Sequence, residues 1–228
     1  MDLAKIKSAL PLAVRKQIGL AKNNVALGGG VQLISGRVHE VTGASADGFI
    51  ASVLGRTQGH IVWIGRARDI RSICPQAAQS FFCPSRLISV EALSRKEILW
   101  ATEQALSSRG ASVVVAELGR GPGLMESRRL QISAEKGKTL GLIRIGKTAQ
   151  SSAAQTRWDC HAVLPSDAVM SDVMTPDMVA NDHAVSGDHI WKWEMTKNKN
   201  GQTGCWTVGW RRHANDSGHV DMVPAASA

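Results

Sequence analysis

The stretch Val38-His39-Glu40-Val41-Thr42-Gly43-Ala44-Ser45-Ala46-Asp47-Gly48-Phe49-Ile50 decides the fold. A strand-like start runs into Gly43, small and polar residues follow, and Gly48 opens a segment with helical spacing. The two glycines have the spacing of a phosphate-binding P-loop, G-x-x-x-x-G-K-[ST]. Phe49 and Ile50 stand where that motif carries lysine and a hydroxyl residue. The stretch is therefore either a nucleotide site that has lost its chemistry or an ordinary strand-loop-helix turn.

The composition of the chain is that of a globular protein. The 228 residues are 43% hydrophobic, which is enough to build a core. No apolar run approaches the roughly 20 residues that span a bilayer. Residues 1–20 carry Lys5, Lys7, Arg15 and Lys16 in place of the uninterrupted apolar segment of a secretory signal. We expect a cytoplasmic protein.

Cysteine and histidine are scattered rather than paired. The four cysteines form no C-x-x-C pair and no spacing typical of metal ligands, and the seven histidines are not clustered. Reduced thiols in a cytosolic protein are the expected state. We predict no metal and no cofactor.

The charge and the tryptophans each leave two interpretations open. A net charge of +8 favours an acidic partner such as nucleic acid. Trp191, Trp193, Trp206 and Trp210 lie close together, as aromatic platforms for single-stranded bases do. Tryptophans at alternating positions of paired strands are also typical of core packing, and this interpretation is favoured.

Three segments are predicted from the pattern along the chain. Residues 1–30 form a basic amphipathic helix, over 4–22, and a flexible linker at Gly28-Gly29-Gly30. Residues 31–212 form the folded core, with a flexible loop at about 160–188. Residues 213–228 are predicted to be disordered.

Within the core, strands alternate with helices up to Gly146, which predicts an α/β fold with a mainly parallel sheet flanked by helices. Ser94 and Glu97 have the spacing of a capping box, and Gly110 is expected to close the helix that they open. After Gly146 the pattern becomes strands alone, and an Asn-Gly turn at 200–201 predicts a C-terminal antiparallel hairpin.

This order of elements resembles the RecA ATPase core, and more closely the RecA-like ImuA family. The similarity spans about residues 30–211. The matching segments are Val38–Val41, Ile61–Ile64, Trp100 with Glu103–Leu106, Ser127–Gln131 with Ala134-Glu135, Ser152–Ala154 with Thr156–Trp158, and the Trp191–Trp210 hairpin.

The resemblance implies a P-loop-type core in which Gly43, Gly48, Phe49 and Ile50 are a degenerate phosphate loop without its lysine and magnesium-binding hydroxyl. Apolar packing by Phe49 and Ile50 is expected to fill the vacated space. The acidic position after the fourth strand falls on Glu117, for which an exposed strand end is the simpler interpretation. Glu40 is expected to fix the end of its strand.

The resemblance also implies a role without catalysis. The leading hypothesis is an accessory protein of the SOS response to DNA damage, acting in translesion synthesis and DNA repair. Its implied partners are the polymerase-like ImuB protein and an error-prone polymerase, with RecA and DNA as further possible partners. The alternatives are a SulA-like cell-division inhibitor, and a weak ATPase that uses Lys147 or Lys197.

Basic residues outside the predicted core are the candidates for contact with DNA or a partner. Such residues form solvated faces in most proteins, and solvation is the competing interpretation. The candidates are Arg128, Arg129, Arg157, Lys197, Lys199, Arg211 and Arg212. Lys197-Asn198-Lys199 also matches a lysine-asparagine-lysine segment in the final hairpin of RecA.

Overall fold

Strands and helices alternate along the chain in a computed structural model that describes residues 24–146, 151–163, 189–211 and 219–224. The strands are Val25–Gly28 (β1), Val31–Leu33 (β2), Val38–Thr42 (β3), Ile61–Gly65 (β4), Leu87–Glu91 (β5), Val113–Leu118 (β6), Leu140–Ile145 (β7), Thr156–Ala162 (β8), His189–Asn198 (β9), Gly204–Arg211 (β10) and His219–Pro224 (β11). The α-helices are Ala46–Gly55 (α1), Ala67–Arg71 (α2), Pro75–Ala78 (α3), Arg95–Ser107 (α4) and Leu124–Gly137 (α5), and Pro84–Arg86 is a 3₁₀ turn.

Nine strands form one sheet in the order β5-β4-β6-β7-β3-β8-β9-β10-β11. The first six strands in this order, β5 to β8, are parallel to one another. Parallel neighbours that follow each other in the chain, such as β6 and β7, are joined by helical crossovers. The last strands, β9 to β11, pair antiparallel. The predicted α/β class, with a mainly parallel sheet flanked by helices and a C-terminal antiparallel hairpin, is confirmed.

Each face of the sheet carries its own hydrophobic core. On one face, α1 and the strand pair β1–β2 pack on Val41, Trp63, Val115 and Trp158. On the other face, α4 and α5 cover alternate residues of the same strands. All residues of β6 are buried because layers cover both of its sides, which explains its run of valines.

The prediction of a flexible linker at Gly28-Gly29-Gly30 is wrong. The three glycines form the turn of the β1–β2 hairpin, and all have positive φ angles, of 104°, 53° and 77°. Leu27 and Leu33 of this hairpin are buried in the core under α1. The predicted helix at 4–22 lies outside the described residues.

The C-terminal boundaries also differ from the prediction. Residues 219–224 belong to strand β11, so the prediction of disorder is wrong there. The predicted flexible loop begins too early, because Cys160–Ala162 completes β8 and pairs with β9. The rest of that loop, from 164 to 188, lies outside the described residues, as do 212–218 and 225–228.

The packing interpretation of the tryptophan cluster is confirmed. Trp191, Trp193 and Trp210 are buried, and Trp206 packs against the same core. Trp210 stacks on Phe81 with ring centroids 5.2 Å apart. These indoles therefore join the antiparallel strands to the core beneath α1 and do not form an open stacking platform.

Candidate functional site

The glycine loop between β3 and α1 is closed by its own hydrogen bonds. The amide of Ser45 donates to the carbonyl of Cys160 at 3.0 Å, and the amide of Ala46 donates to that of Gly43 at 3.2 Å. The amides of Gly48 and Phe49 both donate to the carbonyl of Ser45. A phosphate-binding loop directs such amides at its ligand. These four amides instead have partners inside the protein.

Both glycines of the loop are explained by close packing. A side chain at Gly43, whose φ is 95°, would overlap the backbone of Cys160 on β8. A Cβ at Gly48 would lie 2.8 Å from the ring of Trp191. Glycine is thus required at both positions by neighbouring protein atoms.

Phe49 and Ile50, at the positions of the missing lysine and hydroxyl, are fully buried. The ring of Phe49 lies 5.1 Å from that of Trp158 and 4.9 Å, edge-on, from that of Trp193. The helix also starts at Ala46, before the second glycine. The first turn of α1 therefore extends the hydrophobic core.

Glu117, at the end of β6, is buried and not exposed as the sequence suggested. The indole of Trp63 donates to one carboxylate oxygen at 3.1 Å, and Arg144 donates to the other at 3.1 Å. Burial raises the pKa of Glu117, and the Arg144 guanidinium opposes that rise. Arg144 also pairs with Asp47 at the start of α1, so Glu117 belongs to a bridge between β6, β7 and the glycine loop.

Glu40 lies in β3 with its side chain fully buried. Arg157 on the adjacent strand β8 contacts one carboxylate oxygen at 2.8 Å through two of its nitrogens. The pair joins the two central strands on the face that α5 covers. This agrees with the expected role of Glu40 in fixing its strand.

A cleft of about 1020 Å³ opens beside the glycine loop, at the carboxyl ends of the parallel strands. This edge is where open α/β sheets bind ligands. The cleft is lined by five arginines that the sequence analysis did not single out as a group: Arg66, Arg68, Arg95, Arg120 and Arg144. They follow β4, open α4, follow β6 and end β7, so only the fold brings them together.

The predicted basic candidates fall into separate places. Lys197 and Lys199 donate to the carbonyls of Ser152 and Ala153, at 2.5 and 2.6 Å, and Lys197 lies opposite Arg157 across β8 and β9. These residues lie at the amino end of β8, away from the cleft. Arg211 ends β10, and Arg212 lies outside the described residues.

Comparison with known proteins shows a similarity to ImuA. No family model matches the chain. ImuA of Caulobacter vibrioides, from two strains, is 28% identical over 208 residues, covering 85% of this chain and 78% of the relative. The chain is therefore similar to ImuA over most of its length. No helix in the described ranges is long and apolar enough to span a membrane.

The remaining candidates of this ImuA relative, Arg128 and Arg129, lie on the outer face of α5. Both are exposed, and Arg129 pairs with Glu103 of α4 at 2.8 Å. A second bridge, Arg95 to Glu126 at 2.7 Å, joins the two helices nearer their starts. The helices therefore lie side by side and form one surface.

Large apolar side chains lie exposed on the same two helices. Trp100 of α4 is 62% exposed, and Met125 and Ile132 of α5 are 71% and 61% exposed. Leu124, at the start of α5, is 51% exposed as well. The spacing along α5 is consistent with this exposure. Met125 and Ile132 are seven residues apart, which places them on one face of the helix, and buried Leu130 and Ala134 lie on another face. We call Trp100, Met125, Arg128, Arg129 and Ile132 the α4–α5 face.

Proposed function

We propose that the chain is a non-catalytic, RecA-like accessory protein of DNA-damage-induced translesion synthesis. In this role it binds a polymerase-like partner of the ImuB type, which works with an error-prone polymerase. The observation that carries the proposal is the similarity to ImuA, because it extends over 85% of the chain. RecA and DNA stay further candidate partners.

The RecA-like part of the proposal is supported by the arrangement around β3. This strand lies inside the parallel sheet and leads through two glycines into α1, as the first strand of a P-loop core does. The chain ends in antiparallel strands, and Lys197-Asn198-Lys199 closes β9 there. These features occur in the order that the resemblance to RecA implies.

The non-catalytic part is supported by the closed glycine loop. A P-loop lysine supplies a positive charge to the terminal phosphates, and a hydroxyl group binds magnesium. Phe49 and Ile50 supply neither, and four of the loop amides are bonded within the protein. Purified protein should therefore hydrolyse no ATP above background, with or without single-stranded DNA. Turnover in the wild type that is absent from a Ser45→Trp variant, which blocks the loop, would contradict this part.

The α4–α5 face supports a partner-binding role. Tryptophan, methionine and arginine are enriched at protein interfaces, and tryptophan and arginine dominate binding hot spots. Trp100 and Met125 expose apolar surface next to Arg128 and Arg129. A partner helix with apolar residues flanked by carboxylates would match this surface.

Copurification of the chain with the ImuB-type protein tests the proposal. Trp100→Ala combined with Met125→Ala should weaken the complex by about 2 kcal/mol or more, which is roughly thirtyfold, as loss of a hot spot does. Ile88→Ala, which removes an exposed apolar side chain on β5, is the matched control and should leave the affinity unchanged.

The same experiment shows whether the proposed binding surface or the proposed function is wrong. If the wild type binds and the double variant binds equally well, another surface carries the contact. If the wild type does not bind, and deletion of its gene leaves damage-induced mutation unchanged, the proposed function is wrong.

A further inference from the structure

The arginine-lined cleft at the carboxyl edge of the sheet has no role in the proposed accessory function. We propose that it is a binding site for a small ligand that carries a chain of phosphates, held by arginine side chains and not by the glycine loop. Its guanidinium groups come from the segment after β4, the first residue of α4, the loop after β6 and the end of β7.

The charges in the cleft are unequal. Five arginines face three acidic residues, which are Asp69, Glu117 and Asp159. Three of the arginines have acidic partners, because Arg144 pairs with Glu117 and Asp47, Arg95 pairs with Glu126, and Arg68 pairs with Asp69 at 3.5 Å. His161 is 2.9 Å from Asp159. The cleft arginines without a salt bridge among the described residues are therefore Arg66 and Arg120.

Arg66 and Arg120, which are exposed and form no salt bridge among the described residues, carry the proposal. Arg66 directly follows β4, and Arg120 lies in the loop after β6, which is the neighbouring strand of the sheet. Both side chains line the same cleft. Planar guanidinium groups bind phosphate through two parallel hydrogen bonds, which makes arginine well suited to such a ligand.

Arg95 fixes the loop that carries Arg120. It donates to the carbonyl oxygens of Arg120 at 2.6 Å and Gly121 at 3.3 Å, while its pairing with Glu126 holds it on α5. Glu126 in turn accepts from the amide of Gly123 at 2.9 Å. The Arg120 loop is thus positioned before any ligand binds, which lowers the entropic cost of binding.

The ligand class follows from what the cleft offers. The glycine-loop amides of Ser45, Ala46, Gly48 and Phe49 have partners in the protein, so the arginine side chains would be the main phosphate ligands. Ile50 is buried where a magnesium-binding hydroxyl would stand, so binding should not require magnesium. The phosphates carry the recognition, and a nucleobase should add little.

Isothermal titration with inorganic tripolyphosphate tests the proposal in the full chain. The Arg66→Ala/Arg120→Ala variant should bind about tenfold or more weakly, as expected for the loss of charge-assisted hydrogen bonds. Lys136→Ala/Lys138→Ala removes the same charge at the opposite edge of the sheet, before β7, and should change the affinity less than about twofold. Circular dichroism checks that both variants are folded. Arg95→Ala gives a second test, with weaker binding expected because the Arg120 loop is released.

A second titration with ATP distinguishes a nucleotide site from a site that recognises phosphates alone. Equal affinity for ATP and tripolyphosphate, with or without magnesium, supports a phosphate site. ATP binding more than about tenfold tighter would identify a nucleotide site and overturn the proposal. No saturation by about 5 mM tripolyphosphate, or equal losses in the arginine and lysine variants, would also overturn it. These outcomes are independent of ImuB binding, so either proposal can fail alone.

Discussion

At the scale of single residues, the position of Phe49 decides between a nucleotide site and a turn. Phe49 is fully buried between Trp158 and Trp193 and belongs to the hydrophobic core beneath α1. Restoring the lysine of the P-loop motif would therefore place a charge in an apolar core. Such a charge is costly unless it is paired.

Phe49→Lys should destabilise the protein by about 3–5 kcal/mol, because it removes a large core side chain and buries an unpaired ammonium. Phe49→Leu, which stays apolar, should cost about 1–2 kcal/mol. Urea unfolding followed by tryptophan fluorescence measures both. A Phe49→Lys protein of unchanged stability that gains ATP binding would mean that the loop is an open phosphate site.

A second residue-scale prediction concerns His39, which is fully buried in β3. Its Nε2–H donates to the carbonyl of Ile34 at 3.3 Å, and its Nδ1 accepts from the Thr156 hydroxyl at 2.7 Å. The indole of Trp158 donates to the same hydroxyl at 2.9 Å, which leaves the hydroxyl proton for His39. Burial, aided by the nearby charge of Arg37, lowers the pKa of His39 from 6.5 to about 4.

Between pH 6.5 and pH 4, His39 is therefore protonated in the unfolded chain and neutral in the folded chain. Stability should fall as the pH falls through this interval, by up to about 3 kcal/mol. His39→Gln should flatten this part of the stability profile, while His60→Gln, at an exposed histidine, should leave it unchanged. Urea unfolding at half-unit pH steps measures the slope. Equal slopes in the wild type and His39→Gln would contradict the prediction.

At the scale of elements, the start of a helix was predicted correctly where the capping residues lie close together in the sequence. The capping box at the start of α4 is confirmed: the Ser94 hydroxyl accepts from the amide of Glu97 at 3.2 Å, and Glu97 accepts from the amide of Leu93 at 2.9 Å. The prediction that Gly110 closes this helix is wrong. The helix ends at Ser107, and Arg109 takes the left-handed conformation expected of Gly110. A cap depends on residues within one turn, whereas the exit from a helix also depends on the next element.

Ser94→Ala should cost about 1 kcal/mol, because one helix amide loses its acceptor. Ser107→Ala at the other end of α4 is the control, since its hydroxyl only donates back to the carbonyl of Gln104. Its expected effect is within about 0.5 kcal/mol. Thermal unfolding should separate the two variants, and equal midpoints would show that the cap contributes nothing.

The candidate site was largely out of reach of sequence reasoning. The degenerate loop was visible because its residues are contiguous. The cleft was not, because Arg66, Arg95 and Arg120 become neighbours only after β4, β6 and α4 are placed. The α4–α5 face was not predicted, because Trp100 lies on one helix and Met125 and Ile132 lie on the other. Exposed apolar residues can be told from core residues only by their register against the buried ones.

At the scale of the whole molecule, the question is where the folded unit begins. The glycine run at 28–30 suggested a linker before residue 31, because glycine is permissive and separates elements in many chains. The same permissiveness supplies the positive φ angles of a tight turn. The residues before the glycines distinguish a turn from a linker. Val25 and Leu27 alternate with exposed residues, as in a strand, and both pack into the core.

Truncation therefore distinguishes a linker from a core strand. A chain beginning at residue 31 lacks β1 and leaves β2 without its partner, whereas a chain beginning at residue 24 keeps the hairpin. Burial of Val25 and Leu27 contributes roughly 3–6 kcal/mol together, a large part of the 5–15 kcal/mol that a domain of this kind has. The shorter chain should be much less stable than the longer one in urea. Equal stability of the two chains would support the linker interpretation and place the boundary of the fold at residue 31. A large difference would instead make the hairpin part of the layer that also buries Phe49, so that the closed glycine loop depends on residues that precede it in the chain.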